Sequence, residues 1–184
     1  MLINDIIDIA KLKAQPMEYY TKYSYRTAAI ILGILTLVTS VGMIVTAPTS
    51  EPFTAPEVLF GSVAFFVVVL LGWALWALYL RWWIARKGSS FLYKDVFILL
   101  SMVSSTGILS IAIEFFGVAT SEPATQTSIS FIVFIVDLYI LAIGVSAFSA
   151  ATGHTVKYIL GGYLLPVGVV LLAWLIFGIF FSLG

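Results

Sequence analysis

The sequence contains no cysteine and only one histidine, His154. Without cysteine the chain can form no disulfide, thiol nucleophile or thiolate metal site. No second histidine or HExxH spacing accompanies His154, so we expect no metal or other cofactor. We interpret His154, which lies beside Lys157, as a turn or interfacial residue. The serines and tyrosines lack a neighbouring base that would activate them, so we do not predict an enzyme.

Charged residues are also scarce, at 10% of the chain, whereas 61% of the residues are hydrophobic. Soluble domains are roughly 45–50% apolar, and a helix needs about 20 mainly apolar residues to cross a bilayer. The sequence therefore predicts an all-α integral membrane bundle in which residues 27–184 form one domain. Its five transmembrane helices are expected at about 27–47, 58–80, 96–116, 129–150 and 158–183.

Positive charge is missing from two connections between these apolar runs. Residues 48–57 and 117–128 contain acids but no lysine or arginine. Short loops that retain basic residues lie on the cytoplasmic side of a membrane. We therefore predict that the N-terminus is inside and that Gly184 is outside.

Basic side chains cluster beside the predicted helix ends, as expected for membrane-flanking residues rather than a nucleic-acid interface. These clusters could bind anionic lipid headgroups or a protein partner. The candidate contacts are Lys22, Arg26, Arg81, Arg86, Lys87 and Lys94.

Residues 1–26 form an amphipathic lead-in to the membrane domain. Apolar residues recur at helical spacing over 2–13, opposite Asn4, Asp5, Asp8 and two lysines, and Pro16 ends the pattern. The segment is too short to span a membrane but suits its cytoplasmic surface. Packing on the cytoplasmic loops is the alternative interpretation.

Two acids, Asp137 and Glu114, lie within the apolar runs without a basic neighbour. Acids inside a membrane are costly and mark candidate functional sites. Helical spacing places Ser104, Ser110 and Glu114 on one face of the third run. Asp137 could hydrogen-bond to a neighbouring helix, form a proton or cation site together with Glu114, or contact another subunit.

Three short motifs resemble the Yip domain (Ypt/Rab-interacting protein) family, in its prokaryotic five-span form. They are PMEYY at 16–20, ARKGSSF at 85–91 and the segment 157–166, which contains Gly162-Tyr163 and Pro166. Resemblance to the eukaryotic members of the family implies a role in membrane trafficking, contacts with small GTPases and self-association. Those GTPase contacts depend on a long soluble N-terminal domain that we do not expect here. The resemblance implies no catalytic residues and a prokaryotic cell membrane.

Three functions follow as hypotheses. The first is a non-enzymatic, trafficking-like scaffold or adaptor that organises membrane or partner proteins. It would contact the lipid bilayer and act with a protein partner or as a homo-oligomer. The second is a small transporter or channel that uses Asp137 and Glu114 as a proton or cation site. An intramembrane enzyme ranks last, because the sequence contains no activated nucleophile and no metal-ligand set.

Overall fold

The structure, a computed structural model, describes residues 2–46, 55–118 and 123–182. Within these ranges every regular element is a helix, which confirms the all-α prediction. The helices are α1 (Leu2–Ala10), α2 (Met17–Tyr20), α3 (Tyr25–Thr46), α4 (Ala55–Ala85), α5 (Tyr93–Ser105), α6 (Ile108–Val118), α7 (Pro123–Thr152) and α8 (Val156–Ser182).

Three helical stretches within the described residues are long and apolar enough to cross a membrane, as in integral membrane proteins. They are Val63–Ala85, Tyr93–Glu114 and Gln126–Thr152, and two shorter apolar stretches are Tyr25–Ser40 and Val156–Val169. Helices thus lie at all five predicted runs. The residues Glu51, Glu122 and Gly184, which enter the orientation argument, lie outside the described residues.

The helix that carries Asp137 begins earlier than its apolar run. α7 starts at Pro123, in the position where proline is favoured because its missing N–H has no helical partner. The polar residues that follow extend the helix ahead of residue 129. Asp137 therefore lies near the middle of the Gln126–Thr152 stretch.

The core surrounds α5, which packs against α3, α4 and α7. Nearly every α5 residue is buried, as is one side of the second half of α7. Basic side chains gather beyond this core, where Lys94 donates to the Thr21 carbonyl and Arg81 Nε donates to the Phe91 carbonyl. We call this the basic end of the bundle, defined by Lys22, Arg26, Arg81, Arg86, Lys87 and Lys94.

Near the basic end, α4 and α8 meet through a reciprocal aromatic pair. Trp83 Nε1 donates to the Tyr158 carbonyl at 3.0 Å, and the Tyr158 hydroxyl donates to the Trp83 carbonyl. The two rings stack with their centroids 5.2 Å apart. Gly162 permits this contact, because a Cβ there would lie 2.6 Å from the Trp83 ring. The fit leaves no space for a side chain.

The amphipathic lead-in packs against the side of the bundle. Ile9 of α1 is fully buried, and the Tyr139 hydroxyl donates to the Ala10 carbonyl at 2.9 Å. Tyr139 lies roughly 20 Å along α7 from Thr152, at 1.5 Å of rise per residue. Ile3 and Ile7 remain exposed. One face of α1 thus contacts the helices α5 and α7, and an apolar face stays uncovered.

Candidate functional site

A break in the third long helix shapes the candidate site. α5 ends at Ser105 and α6 begins at Ile108, so Thr106 and Gly107 separate them. The N–H groups of Thr106 and Gly107 bond to carbonyls three residues back, at 3.1 and 2.9 Å. Such tightened turns satisfy the backbone where an α-helix stops. The break therefore leaves neither of these two amides unpaired, and α6 beyond it packs against α7.

Hydroxyl side chains support the same break. Ser104 donates to the Leu100 carbonyl at 2.7 Å, and Thr106 donates to the Val103 carbonyl at 2.6 Å. Serine and threonine that bond back to their own helix in this way often bend it. Ser104 is buried, but its hydroxyl is used within its own helix.

Ser110, just beyond the break, joins α6 to α7. Its hydroxyl donates to Asp137 Oδ1 at 2.8 Å. Ser110 is buried whereas Asp137 is exposed, so the carboxyl group keeps an open side. The ion pairs among the described residues are Lys22–Asp5 and Lys94–Asp95, and neither reaches Asp137. Asp137 is thus held by one neutral hydrogen bond.

The open side of Asp137 faces a cavity of about 610 Å³ between α4, α5, α7 and α8. Its volume falls within the range of roughly 300–1,000 Å³ typical of small-molecule pockets. The walls are mostly apolar and include three aromatic rings. The lining residues are Val69, Gly72, Trp73, Trp76, Leu100, Val103, Ser104, Asp137, Ile140, Leu141 and Tyr163. We call this cavity the Asp137 pocket.

A second polar group borders the Asp137 pocket. The Tyr163 hydroxyl oxygen is buried and has no hydrogen-bond partner among the described residues. Its ring packs edge-on against Trp76, with the centroids 5.8 Å apart. Gly144 of α7 lies beneath the hydroxyl, and a Cβ at Gly144 would come within 3.1 Å of it. Because buried polar groups are nearly always paired, this hydroxyl is available to a ligand.

The structure brings together three of the four predicted polar residues. Ser110 binds Asp137, and Ser104 lines the same pocket. Glu114 is exposed on α6 and is not part of the pocket lining. Sequence reasoning did not assign Tyr163 to the site, because an aromatic residue in an apolar helix resembles ordinary core. Within the described residues, no group of three potential metal ligands occurs.

No protein-family model, curated protein or solved structure matches this chain. The candidate site is therefore interpreted from its own geometry.

At the basic end a different acid holds the lead-in. Asp5 is buried and receives hydrogen bonds from Tyr19, at 2.9 Å, and from Tyr23. Lys22 Nζ lies 3.1 Å from Asp5 Oδ2 and 3.3 Å from the centroid of the Tyr19 ring. We call these four residues the Asp5 clamp. It joins α1 to the segment that leads into α3.

The protonation equilibria of the Asp5 clamp reflect these contacts. Burial raises the pKa of Asp5, but the hydrogen bonds from Tyr23, Lys22 and Tyr19 outweigh it and leave the pKa below 3.8. Burial, the hydrogen bond to Asp5 and the negative charge of that carboxylate raise the pKa of Tyr23 to about 12. Both shifts favour a charged Asp5 beside a neutral Tyr23 over a broad pH range.

Most of the predicted lipid-contacting bases have protein partners. Besides Lys22, Lys94 and Arg81, the Arg86 guanidinium lies 5.0 Å from the centroid of the Trp82 ring. Lys87 lies 5.5 Å from the Tyr158 ring centroid. Cation–π contacts leave the outer side of a cation free to meet an anion. His154 and Ser89 share a 3.1 Å hydrogen bond. It joins the connection between α7 and α8 to the connection between α4 and α5.

Proposed function

We propose that this chain is a non-enzymatic membrane protein that binds an amphipathic small molecule from the bilayer in the Asp137 pocket. One observation carries the proposal, namely that a carboxyl group with an open side lies in a mostly apolar cavity of about 610 Å³. Apolar walls would accept a hydrocarbon or aromatic body. Asp137 would then attract a positively charged, hydrogen-bonding group.

The aromatic walls favour the same class of ligand. Trp73, Trp76 and Tyr163 line the pocket together with Asp137. Aromatic faces attract cations, most strongly where water is excluded. A lipophilic amine satisfies both the carboxyl group and the rings. The proposal keeps Asp137 from the transporter hypothesis. It omits Glu114, because Glu114 is not part of the pocket lining.

Binding can be tested with dodecylamine, using dodecanol as its uncharged counterpart. Equilibrium dialysis against the protein in nanodiscs, corrected with empty nanodiscs, would measure uptake of each compound. We expect saturable binding of dodecylamine, and a loss of about tenfold or more in Asp137→Asn, as for one charge-assisted hydrogen bond. The matched control Glu114→Gln should bind normally. Equal uptake of amine and alcohol, or equal loss in both variants, would refute the proposal.

A second candidate function is the organisation of partner proteins. It is favoured by the fixed lead-in, which the Asp5 clamp holds while Ile3 stays 71% exposed. Such an arrangement offers an ordered apolar surface to a protein partner or a second copy. A photo-crosslinking residue at position 3 tests this idea. Crosslinks to lipid alone would remove the surface on which the organiser function depends.

We further propose a five-span topology in a prokaryotic cell membrane, with the basic end inside, and membership of the Yip domain family. The absence of cysteine allows a clean test with single-cysteine variants. Cysteines at positions 51 and 184 should react with an impermeant reagent from outside, whereas one at position 87 should not. Labelling of positions 51 and 184 from opposite sides would contradict five spans.

A further inference from the structure

Another aspartate, at the basic end, carries an unsatisfied atom. Asp95 lies in the first turn of α5 and is only 4% exposed. Its Oδ1 atom is buried, and no group within the described ranges forms a hydrogen bond with it. Lys94 Nζ lies 3.9 Å from this oxygen, which is too far for a hydrogen bond. Leaving a buried carboxylate oxygen unpaired is costly, so the atom marks a place where a donor is missing.

Ordinary structural roles do not supply that donor. A negative charge in the first turn of a helix is favoured by the helix dipole, which explains an acid at position 95 but not its unpaired oxygen. Lys94 is the nearest cation, yet its ammonium group donates to the Thr21 carbonyl at 3.1 Å. That bond holds Lys94 toward α2. No side chain in the described part of the chain thus donates to this oxygen, and a donor from outside the chain would satisfy it.

Asp95 borders a cavity that could admit such a donor. The cavity has a volume of about 340 Å³ and lies between α2, the connection from α4 to α5, and the start of α5. Three hydroxyl groups and a second carboxyl group accompany Asp95 in its walls. The lining residues are Met17, Glu18, Thr21, Ser89, Ser90, Phe91, Leu92 and Asp95. We call it the Asp95 cavity.

The chemistry of these walls selects the ligand. Two carboxyl groups favour a cation as the ligand, and the unpaired Asp95 Oδ1 favours a cation that donates hydrogen bonds. A bare metal ion is less favoured, because no group of three His, Cys, Asp or Glu residues occurs in the described part of the chain and the cavity is many times larger than an ion. A quaternary ammonium has no N–H to donate. A primary ammonium group meets every requirement.

We propose that the Asp95 cavity binds a primary ammonium group, with Asp95 as its main acceptor and with Glu18 and the hydroxyl groups of Thr21, Ser89 and Ser90 around it. The group belongs either to a free small amine or to an ethanolamine lipid headgroup. This site lies at the opposite end of α5 from the break beside the Asp137 pocket, and it requires neither that pocket nor its ligand.

Ethanolamine is the direct probe, with choline as the quaternary control. Calorimetric titration of the full chain in phosphatidylcholine nanodiscs should show ethanolamine binding and no choline binding if a free amine is the ligand. If the headgroup is the ligand, phosphatidylethanolamine nanodiscs should instead raise the thermal unfolding midpoint above that in phosphatidylcholine. The proposal is overturned if ethanolamine does not bind and the two lipids give the same midpoint.

Variants assign the effect to Asp95. Asp95→Asn should weaken the affinity for ethanolamine by about tenfold or more. If the headgroup is the ligand, the same variant should reduce the lipid-dependent shift in the unfolding midpoint. Asp8→Asn removes the same charge from α1, outside the cavity lining, and should have no effect. If Asp95→Asn does not fold, Glu18→Gln provides the test, since Glu18 is exposed and its change should still weaken binding severalfold. Unchanged binding in the folded variant tested would refute the assignment.

Discussion

Gly162 and Gly72 both lie in long apolar helices, yet their surroundings are opposite. A Cβ at Gly162 would lie 2.6 Å from the Trp83 ring, whereas a Cβ at Gly72 would meet nothing within 4 Å. Gly162 belongs to the tightly packed half of the bundle, near the basic end. Gly72 lines the Asp137 pocket. Tight packing specifies the fold around Gly162, and open space beside Gly72 leaves room for a ligand.

The same contrast separates the two aspartates. Asp5 is buried and receives hydrogen bonds from two tyrosines and an ion pair from Lys22. Asp137 receives one hydrogen bond, from Ser110, and faces a cavity. A carboxylate whose oxygens are already engaged contributes to folding, whereas one with an open side can bind something else. Asp5 is thus structural, and Asp137 is the candidate for function.

The largest expected effect comes from exchanging the two glycines for leucine. Gly162→Leu should destabilise the protein by about 3 kcal/mol or more, because the Trp83 ring is fixed by its bond to Tyr158 and cannot yield. Gly72→Leu should change stability by less than about 1 kcal/mol, since it only fills space. Denaturant unfolding in detergent micelles would compare them. Similar losses for both variants would show that the two halves are packed alike.

Asparagine substitutions at Asp5 and Asp137 are expected to change stability less than Gly162→Leu does. Asp5→Asn should cost about 2 kcal/mol, because an amide leaves Lys22 without its anion and brings N–H donors against tyrosine hydroxyls. Asp137→Asn should cost less than about 0.5 kcal/mol, because its amide oxygen still accepts the Ser110 hydrogen bond. Thermal unfolding measures both. Limited trypsin cleavage after Lys11 and Lys13 should accelerate in the Asp5 variant alone.

Sequence patterns predicted the helices well but not the site in full. Apolar run length is a local property, so helices appear at all five expected positions with shifted ends. Ser110 and Asp137 were both named as candidates, whereas their contact depends on how the break at Thr106 and Gly107 aims α6 toward α7. Periodicity along one helix carries no information on such a distance between helices.

The sequence also did not predict which individual polar atoms are buried without a partner. Tyr163 and Asp95 matter because each has a buried oxygen without a partner. Neither residue type is unusual at its position, since tyrosine occurs in apolar helices and aspartate in first turns. Only the packing around them distinguishes an available group from a satisfied one. The Asp5 clamp is similar, because it joins residues well separated along the chain.

The pH dependence of the lead-in sharpens the contrast between the two aspartates. The lowered pKa of Asp5 contributes stability above the ordinary value of 3.8, and this is lost as pH falls through the folded-state pKa. The pKa of Tyr23, raised from 10.0 to about 12, contributes stability below pH 10 that is lost as pH rises toward 12. Docking of α1 should therefore weaken at both extremes.

A fluorophore attached to Ile3→Cys would report this docking through its anisotropy. We expect a plateau at intermediate pH, a fall below about pH 4 and a second fall between about pH 10 and pH 12. In the Tyr23→Phe background the alkaline fall should shrink to the part that comes from deprotonation of Lys22, while the acid fall remains. Desolvation lowers the pKa of Lys22, but its hydrogen bonds with Tyr19 and Asp5 outweigh this effect and raise the pKa above 10.5. An alkaline fall unchanged in that background would assign the transition to another group.

A small effect is also expected at Ser110, whose hydroxyl joins α6 to α7. Ser110→Ala should cost roughly 0.6 kcal/mol, the average for a hydrogen bond between membrane helices. Ser101→Ala is the matched control, since Ser101 is buried but donates only to carbonyls of its own helix, including Phe97 at 2.8 Å. Its substitution should be nearly neutral.

A double-mutant cycle of Ser110→Ala with Asp137→Ala then isolates the contact between these side chains, because alanine at position 137 cannot accept the hydrogen bond. A coupling near 0.6 kcal/mol means that the hydrogen bond holds Asp137 only weakly, so a ligand can outcompete it at little cost. A coupling of about 2 kcal/mol or more would mean that Asp137 is secured as firmly as Asp5. The distinction between a structural and a functional aspartate would then no longer hold.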